Sequence, residues 1–299
     1  MKRIFLFVLT NLAVLILLSV IVRLLGLDLL LAQRGVNMSG LLAMAAIIGF
    51  AGSLISLAMS KWSAKNLMGV QVIQQPMTPA QRWLVDTVRK HAEKADIGMP
   101  EVGIFDAPEM NAFATGARRD HALVAVSAGL LAGMTADEAE AVLGHEITHV
   151  ANGDMVTLAL IQGVVNTFVI FLARVFGTLL DNAIGGSRSE ERRGPGPFYF
   201  LIVIVLQVIL GVLANLVVMW FSRQREFRAD AGGARLGGTS NMIAALERLD
   251  RQHGAALPGR LAAFGISGGF AGGLQRLFMS HPPIPERIAA LRAAAIQPA

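Results

Sequence analysis

His145, Glu146 and His149 stand in the spacing H-E-x-x-H. On an α-helix, residues four apart share a face, so two imidazoles at that spacing aim a nitrogen each at one point, and the glutamate one position on reaches beside it. Two imidazoles begin a zinc site, and a neighbouring carboxylate suits taking a proton from water that the ion makes acidic near neutral pH. The chain holds only six histidines, so two of them flanking a glutamate at this spacing carries information. The plain alternative is a solvated helix with the pattern by chance. A catalytic zinc usually has three protein ligands, so the rest of the chain must supply another.

There is no Cys, which excludes disulfides and thiolate ligands and leaves His or carboxylate for the third position. Arg223-Gln224-Arg225-Glu226-Phe227-Arg228-Ala229-Asp230 places two acids four apart on one helical face. Glu226 is the candidate third ligand, and Asp230 the carboxylate that accepts a ligand histidine's other N–H. The alternative is a charged patch in which both acids pair with Arg223, Arg225 or Arg228. Asn152 and Asp154 read as helix-end or supporting groups rather than ligands. His91, His121 and His253 have no partner at metal spacing and are assigned no role.

The elements that must position these groups are partly membranous. Hydrophobic residues make up 54% of the 299 and charged residues only 16%, against about 25% charged in an ordinary soluble domain. Apolar runs of spanning length cover Ile4–Leu27, Met38–Ser60, Met155–Leu180 and Phe198–Phe221. A cleaved leader is the alternative for the first, but the run is long and its cleavage site poor. Gly, Ala and Ser in the second run predict close packing against another span. Arg23 and Arg174 lie near span ends, where snorkelling accounts for them.

The resulting division is 1–60, two spans; 61–154, a soluble segment with the H-E-x-x-H helix; 155–221, two spans joined by a polar loop at 181–197; and 222–299, a soluble segment with the third ligand. Lys and Arg concentrate at the N-terminus and in the two soluble segments, which places these and both termini in the cytoplasm. The net charge of +5 comes with no nucleic-acid motif, so the bias belongs to membrane topology. Two spans separate His149 from Glu226, returning the chain to the same side. His149 lies six residues before the third span and Glu226 five after the fourth, so both sit about 8–9 Å from the apolar boundary at 1.5 Å per residue. The H-E-x-x-H helix then reads as an extension of the third membrane helix.

Within the soluble segments, Thr135-x-x-Glu138 is a capping box opening the H-E-x-x-H helix. Thr78-Pro79 opens another, with Leu84, Val88 and Ala92 turned to a core. Val102–Phe105 and Ala122–Ser127 read as short strands. Helices are expected over Asn241–Arg251 and Glu286–Ala295, with a Gly- and Ala-rich flap at 254–273.

Gly144–His149 (GHEITH), Glu226 with Asp230, Asn111–Gly116 (NAFATG) and Ser280-His281-Pro282-Pro283 with Arg287 together resemble the HtpX-type membrane zinc metalloproteases, gluzincins related to the CAAX prenyl endoproteases of eukaryotes. The motifs occur in order along the chain. The resemblance implies a predominantly α, four-span membrane protein with a cytoplasmic α+β zincin-like domain containing a small sheet. It implies one Zn2+ per chain, held by His145, His149 and Glu226, with Glu146 as the acid–base residue. It further implies that Asn111, Ala112, Phe113 and Ala114 form an edge strand that binds substrate backbone, that His281 hydrogen-bonds the oxyanion, and that Arg287 braces the site against a carboxylate. The setting it implies is the bacterial inner membrane, and the task is quality control of misfolded or damaged membrane proteins under stress. Partners are then protein substrates, the lipid bilayer and, as a candidate, a second copy of the chain. The extra spans and chamber of the eukaryotic prenyl proteases have no counterpart here, so prenylated substrates are not implied. The competing class is a non-proteolytic protein with structural zinc; Glu146 argues against it, because a closed site needs no carboxylate beside the metal.

Overall fold

The computed structural model of the protein describes residues 36–185, 198–255 and 279–296, together with 16, 20, 23, 24, 26–33 and 196. Helices α1 (Leu27–Gln33) and α2 (Met38–Asn66) lead into β1 (Gln71–Val72), α3 (Pro79–Lys94), β2 (Glu101–Phe105), β3 (Ala112–Thr115), β4 (Leu123–Ser127) and α4 (Ala128–Gly133). Then come α5 (Ala136–Asn152), α6 (Asp154–Gly185), α7 (Tyr199–Gly237), α8 (Thr239–Ala255) and α9 (Ile284–Ile296). The chain divides into two compact units, one of Ser56–Leu158 with Met219–Ala299 and one of Met1–Ile55 with Ala159–Val218.

The first of these units is built on a four-stranded mixed sheet in the order β1-β2-β4-β3. β2 and β4 run parallel, while β1–β2 and β3–β4 are antiparallel. β4 (LVAVS) is buried along its whole length, and the two-residue period of a strand explains how. Val124 and Val126 pack with Leu84 and Val88 of α3, Val142, Leu143 and Ile147 of α5, and Ala245 of α8. Leu123 and Ala125 point the other way, to Ala64, Val70 and Phe105. Each such aliphatic side chain contributes about 1.5–3 kcal/mol on burial, enough to hold α5 by one face and leave its other face for the site. β3 occupies an edge of the sheet.

The capping box expected at Thr135 forms, and the helix start expected at Thr78-Pro79 turns out to be a capping box too. Thr78 accepts from the Gln81 main-chain N–H and Gln81 reaches back to Thr78, with Pro79 at the first turn. Thr135 and Glu138 make the same reciprocal pair at the start of α5.

In the other unit, small residues set the helix contacts. A Cβ added at Gly49 would lie 2.6 Å from Thr167 Oγ1 and 2.8 Å from the Gly163 carbonyl oxygen, so α2 and α6 meet nearly backbone to backbone. Leu31, Ala45, Phe171 and Val175 close a small core there. Among the described residues, α2, α6 and α7 are long and apolar enough to cross a membrane.

Three expectations change. Most of the run from 4 to 27, residues 186–195 and 197 of the polar loop and nearly all of the flap at 254–273 lie outside the described residues. The stretch joining the first two expected spans contains α1, and Asp181, expected to open the polar loop, is buried in α6 and accepts hydrogen bonds from Gly196 N (2.7 Å) and Phe198 N (3.2 Å) just before α7. The H-E-x-x-H helix is not an extension of the third membrane helix. Gly153 takes the left-handed conformation (φ 68, ψ 35) and its N–H bonds back to His149 O and Val150 O, so α5 ends and α6 starts afresh at Asp154. A residue without Cβ adopts positive φ at little cost, which is why the chain turns there.

Candidate metal centre

His145 and His149 project from the same face of α5, with ring centroids 4.7 Å apart and planes nearly perpendicular. Their Nε2 atoms face each other at 3.1 Å. Glu226 of α7 completes the cluster, with Oε1 3.3 Å from His149 Nε2 and Oε2 3.6 Å from His145 Nε2. One ligand atom from each of the three residues falls within 4.8 Å of the others.

What lets α7 come this close is a strip of glycines one to three turns beyond Glu226. A Cβ on Gly232 would meet Thr148 Oγ1 at 2.2 Å, one on Gly233 would meet His145 N at 3.0 Å, and one on Gly237 would meet Ala141 Cα at 2.7 Å. Gly144 answers them from α5, its Cβ position 3.3 Å from Gly233 Cα. The two helices therefore cross at the spacing that only hydrogen side chains allow, and the Glu226 carboxylate on one reaches the imidazoles of the other.

Behind the cluster, each imidazole has a carboxylate at Nδ1. Asp154 Oδ2 is 2.7 Å from His149 Nδ1, and Asp230 Oδ1 is 2.9 Å from His145 Nδ1, close in distance but off the line of a good hydrogen bond. Arg287, buried in α9, donates from Nε to Asp230 Oδ2 at 2.8 Å and from Nη2 to Oδ1. The same guanidinium lies 3.7 Å from Glu226. His281 stands at the exposed rim, its Nδ1 2.6 Å from Glu226 Oε2.

The electrostatics call for a cation. Burial alone would push the His149 imidazole down, but hydrogen bonds to Asp154 and Glu226 and the field of Glu146 outweigh it and raise it to about 10. Burial also raises the Glu146 carboxyl, with His145 and His149 opposing and Glu226 reinforcing. Two imidazole nitrogens and a carboxylate oxygen converging on one point make a donor set for a divalent ion, and N, N, O without sulfur fits zinc.

The segment Asn111–Ala114 lies beside the centre, β3 packing against α5. Ala112 and Ala114 face the core that includes Val142 and Ile147, and Phe113 faces Phe105 at 5.5 Å. Asn111 is exposed at the strand's entry, its main chain tied to Ser127. The structure thus brings together His145, Glu146, His149, Glu226, Asp230, His281 and Arg287, with the edge strand adjacent. Asp154, which the sequence offers as a helix-end or supporting group, joins them through its contact with His149.

The Peptidase family M48 model matches residues 79–295. The chain belongs to this family. The Protease HtpX homolog of Thiobacillus denitrificans is 62% identical over 293 residues, covering 98% of this chain and 99% of that one. The Protease HtpX of Xanthomonas euvesicatoria pv. vesicatoria is 62% identical over 294 residues, covering 98% of both. A crystal structure of S. mikatae Ste24p superposes with a TM-score of 0.61 at 16% identity, covering 97% of this chain and 67% of that one, so the fold is shared. As an M48 peptidase with, among its described residues, three apolar helices of spanning length, the protein is a membrane metalloprotease.

Proposed function

We propose that the protein is a zinc endopeptidase of the bacterial inner membrane that cleaves misfolded or damaged membrane proteins at the cytoplasmic face, as part of stress-response quality control. The observation that carries the chemistry is the convergence of His145 Nε2, His149 Nε2 and a Glu226 oxygen within 4.8 Å, with Glu146 on the same helix. These three residues would hold one zinc per chain. When bound, zinc supplies Lewis acidity, polarising the scissile carbonyl and lowering the pKa of water to near neutral.

The protein's own groups do the rest. Glu146 accepts the proton of the attacking water and returns it to the leaving amine nitrogen. His281 is held by its Nδ1–H, which donates to Glu226 Oε2; as the imidazolium it also carries a proton on Nε2, the atom that would donate to the developing oxyanion. Arg287 holds Asp230, and through it His145. Asn111, Ala112, Phe113 and Ala114 align substrate by strand addition at the free edge of β3. In this reading 1–60 and 155–221 anchor the protein by four spans, and 61–154 and 222–299 assemble the protease on the side of both termini; the distribution of Lys and Arg supports that orientation. A second copy of the chain remains a candidate partner.

The test is Glu146→Gln in the full-length protein in detergent or liposomes. Zinc content should stay at wild-type level while cleavage of casein or of the chain itself falls by about 10²–10⁴-fold. A variant that keeps its zinc and cleaves at the wild-type rate would remove Glu146 from the mechanism. Glu226→Ala should lose zinc; unchanged zinc content would move the third ligand elsewhere.

A further inference from the structure

We infer that Asp154 is a positioning residue for the metal centre, fixing the tautomer and tilt of His149 from the first turn of a membrane helix. This rests on the reading of His149 as a ligand. A neutral imidazole carries one N–H, and the nitrogen that bears it is set by the partner it meets. Asp154 Oδ2 lies 2.7 Å from His149 Nδ1 and can only accept, so the proton belongs on Nδ1 and the lone pair on Nε2. Nε2 is the atom that faces His145 and Glu226.

The backbone is arranged for this contact. Had α5 continued unbroken, residue 154 would lie about 140° round the axis from His149 and about 7.5 Å along it, too far for a short side chain to reach Nδ1. The left-handed turn at Gly153 folds the chain back so that it does. Asp154 is itself held: its carbonyl oxygen accepts from Arg225 Nη1 at 2.9 Å, and Arg225 also donates from Nη2 to Ser222 Oγ at 3.2 Å. Arg225 is the residue before Glu226, so one guanidinium ties the helix that carries the carboxylate ligand to the residue that orients the imidazole ligand. Asp154 is 6% exposed, which keeps water from competing for the imidazole.

The experiment is zinc affinity by competition with a chromophoric chelator on the purified full-length protein, with thermal unfolding of the metal-free protein alongside. Asp154→Ala should weaken zinc binding about 10–100-fold. Asp154→Asn, which keeps an acceptor oxygen in nearly the same shape, should lose distinctly less. The metal-free melting temperature should fall in Asp154→Ala, which leaves the buried His149 Nδ1 without its partner, and fall less in Asp154→Asn. Wild-type affinity in Asp154→Ala, with His149→Ala losing zinc, would overturn the role of Asp154 and leave the ligand reading intact. A loss that Asn does not relieve and that is matched by a lower metal-free melting temperature would reduce Asp154 to a structural helix-end group. Undiminished zinc binding in His149→Ala would sink the ligand reading itself.

Discussion

His91 shows how a histidine outside the centre behaves in the same unit. It is fully buried between α3 and α5, its Nε2–H donating to the Glu140 carbonyl oxygen at 3.1 Å. Burial lowers its pKa below 6.5, with Lys90 and Lys94 adding to the effect and Glu140 opposing it. A group whose folded pKa is depressed contributes stability that is present above the unfolded value and lost as pH falls through the folded one. Thermal unfolding in detergent should therefore shift down between pH 7 and 5.5 more steeply for wild type than for His91→Gln; equal slopes would show that the buried imidazole already shares a proton. At this scale the sequence separated the two kinds of histidine well. His145 and His149 had each other and a glutamate at helical spacing, and Glu226 was reachable by periodicity and by the return of the chain across two spans. Asp154 was seen only as a candidate supporting group, because its contact with His149 depends on a backbone turn that residue types alone do not announce.

The crossing of α5 and α7 decides whether three ligands meet, and it rests on Gly232, Gly233, Gly237 and Gly144 more than on any ligand's own preference. Gly232→Ala places a Cβ 2.2 Å from Thr148 Oγ1 and 2.7 Å from Thr148 Cβ, contacts that a close-packed interior cannot absorb without shifting a helix; overpacking of this kind costs about 1–3 kcal/mol. Zinc occupancy and melting temperature should both fall, and adding Thr148→Ala, which removes the two nearest atoms but not the Cβ, should restore part of each. No recovery in the double variant would mean that the crossing is not what sets the ligand distance. Thr135→Ala, removing the N-cap of α5 far from the ligands, should cost about 1 kcal/mol without changing zinc stoichiometry. The caps and the strand patterns were legible because they are local. The break at Gly153 was not: a glycine inside a helix costs only about 1 kcal/mol, so the sequence is compatible with one long helix or two, and tertiary contacts to Asp154 settle it. The two-residue β1 and the six-residue α4 are too short to carry a period at all.

On the scale of the whole molecule, the metal centre lies entirely in the unit formed by Ser56–Leu158 and Met219–Ala299, while its ligand-bearing helices are covalently joined to segments of spanning character. The proposed orientation puts that unit in the cytoplasm, and the physical basis is the resistance of Lys and Arg to translocation. The absence of Cys from the chain makes this directly measurable, since a single introduced cysteine is the only thiol to label. Glu93→Cys lies at an exposed position of α3, and Ser39→Cys at an exposed position in the first turn of α2. With a membrane-impermeant maleimide, Ser39→Cys should react in intact spheroplasts and Glu93→Cys only after permeabilisation. The reverse pattern would place the protease unit outside the cytoplasm and redirect it to a different set of substrates. Labelling of both in intact cells would break the relation between α2 and the charge bias, because a helix of 29 residues, about 43 Å long at 1.5 Å per residue, exceeds the roughly 30 Å hydrocarbon core and should keep its two ends on opposite sides.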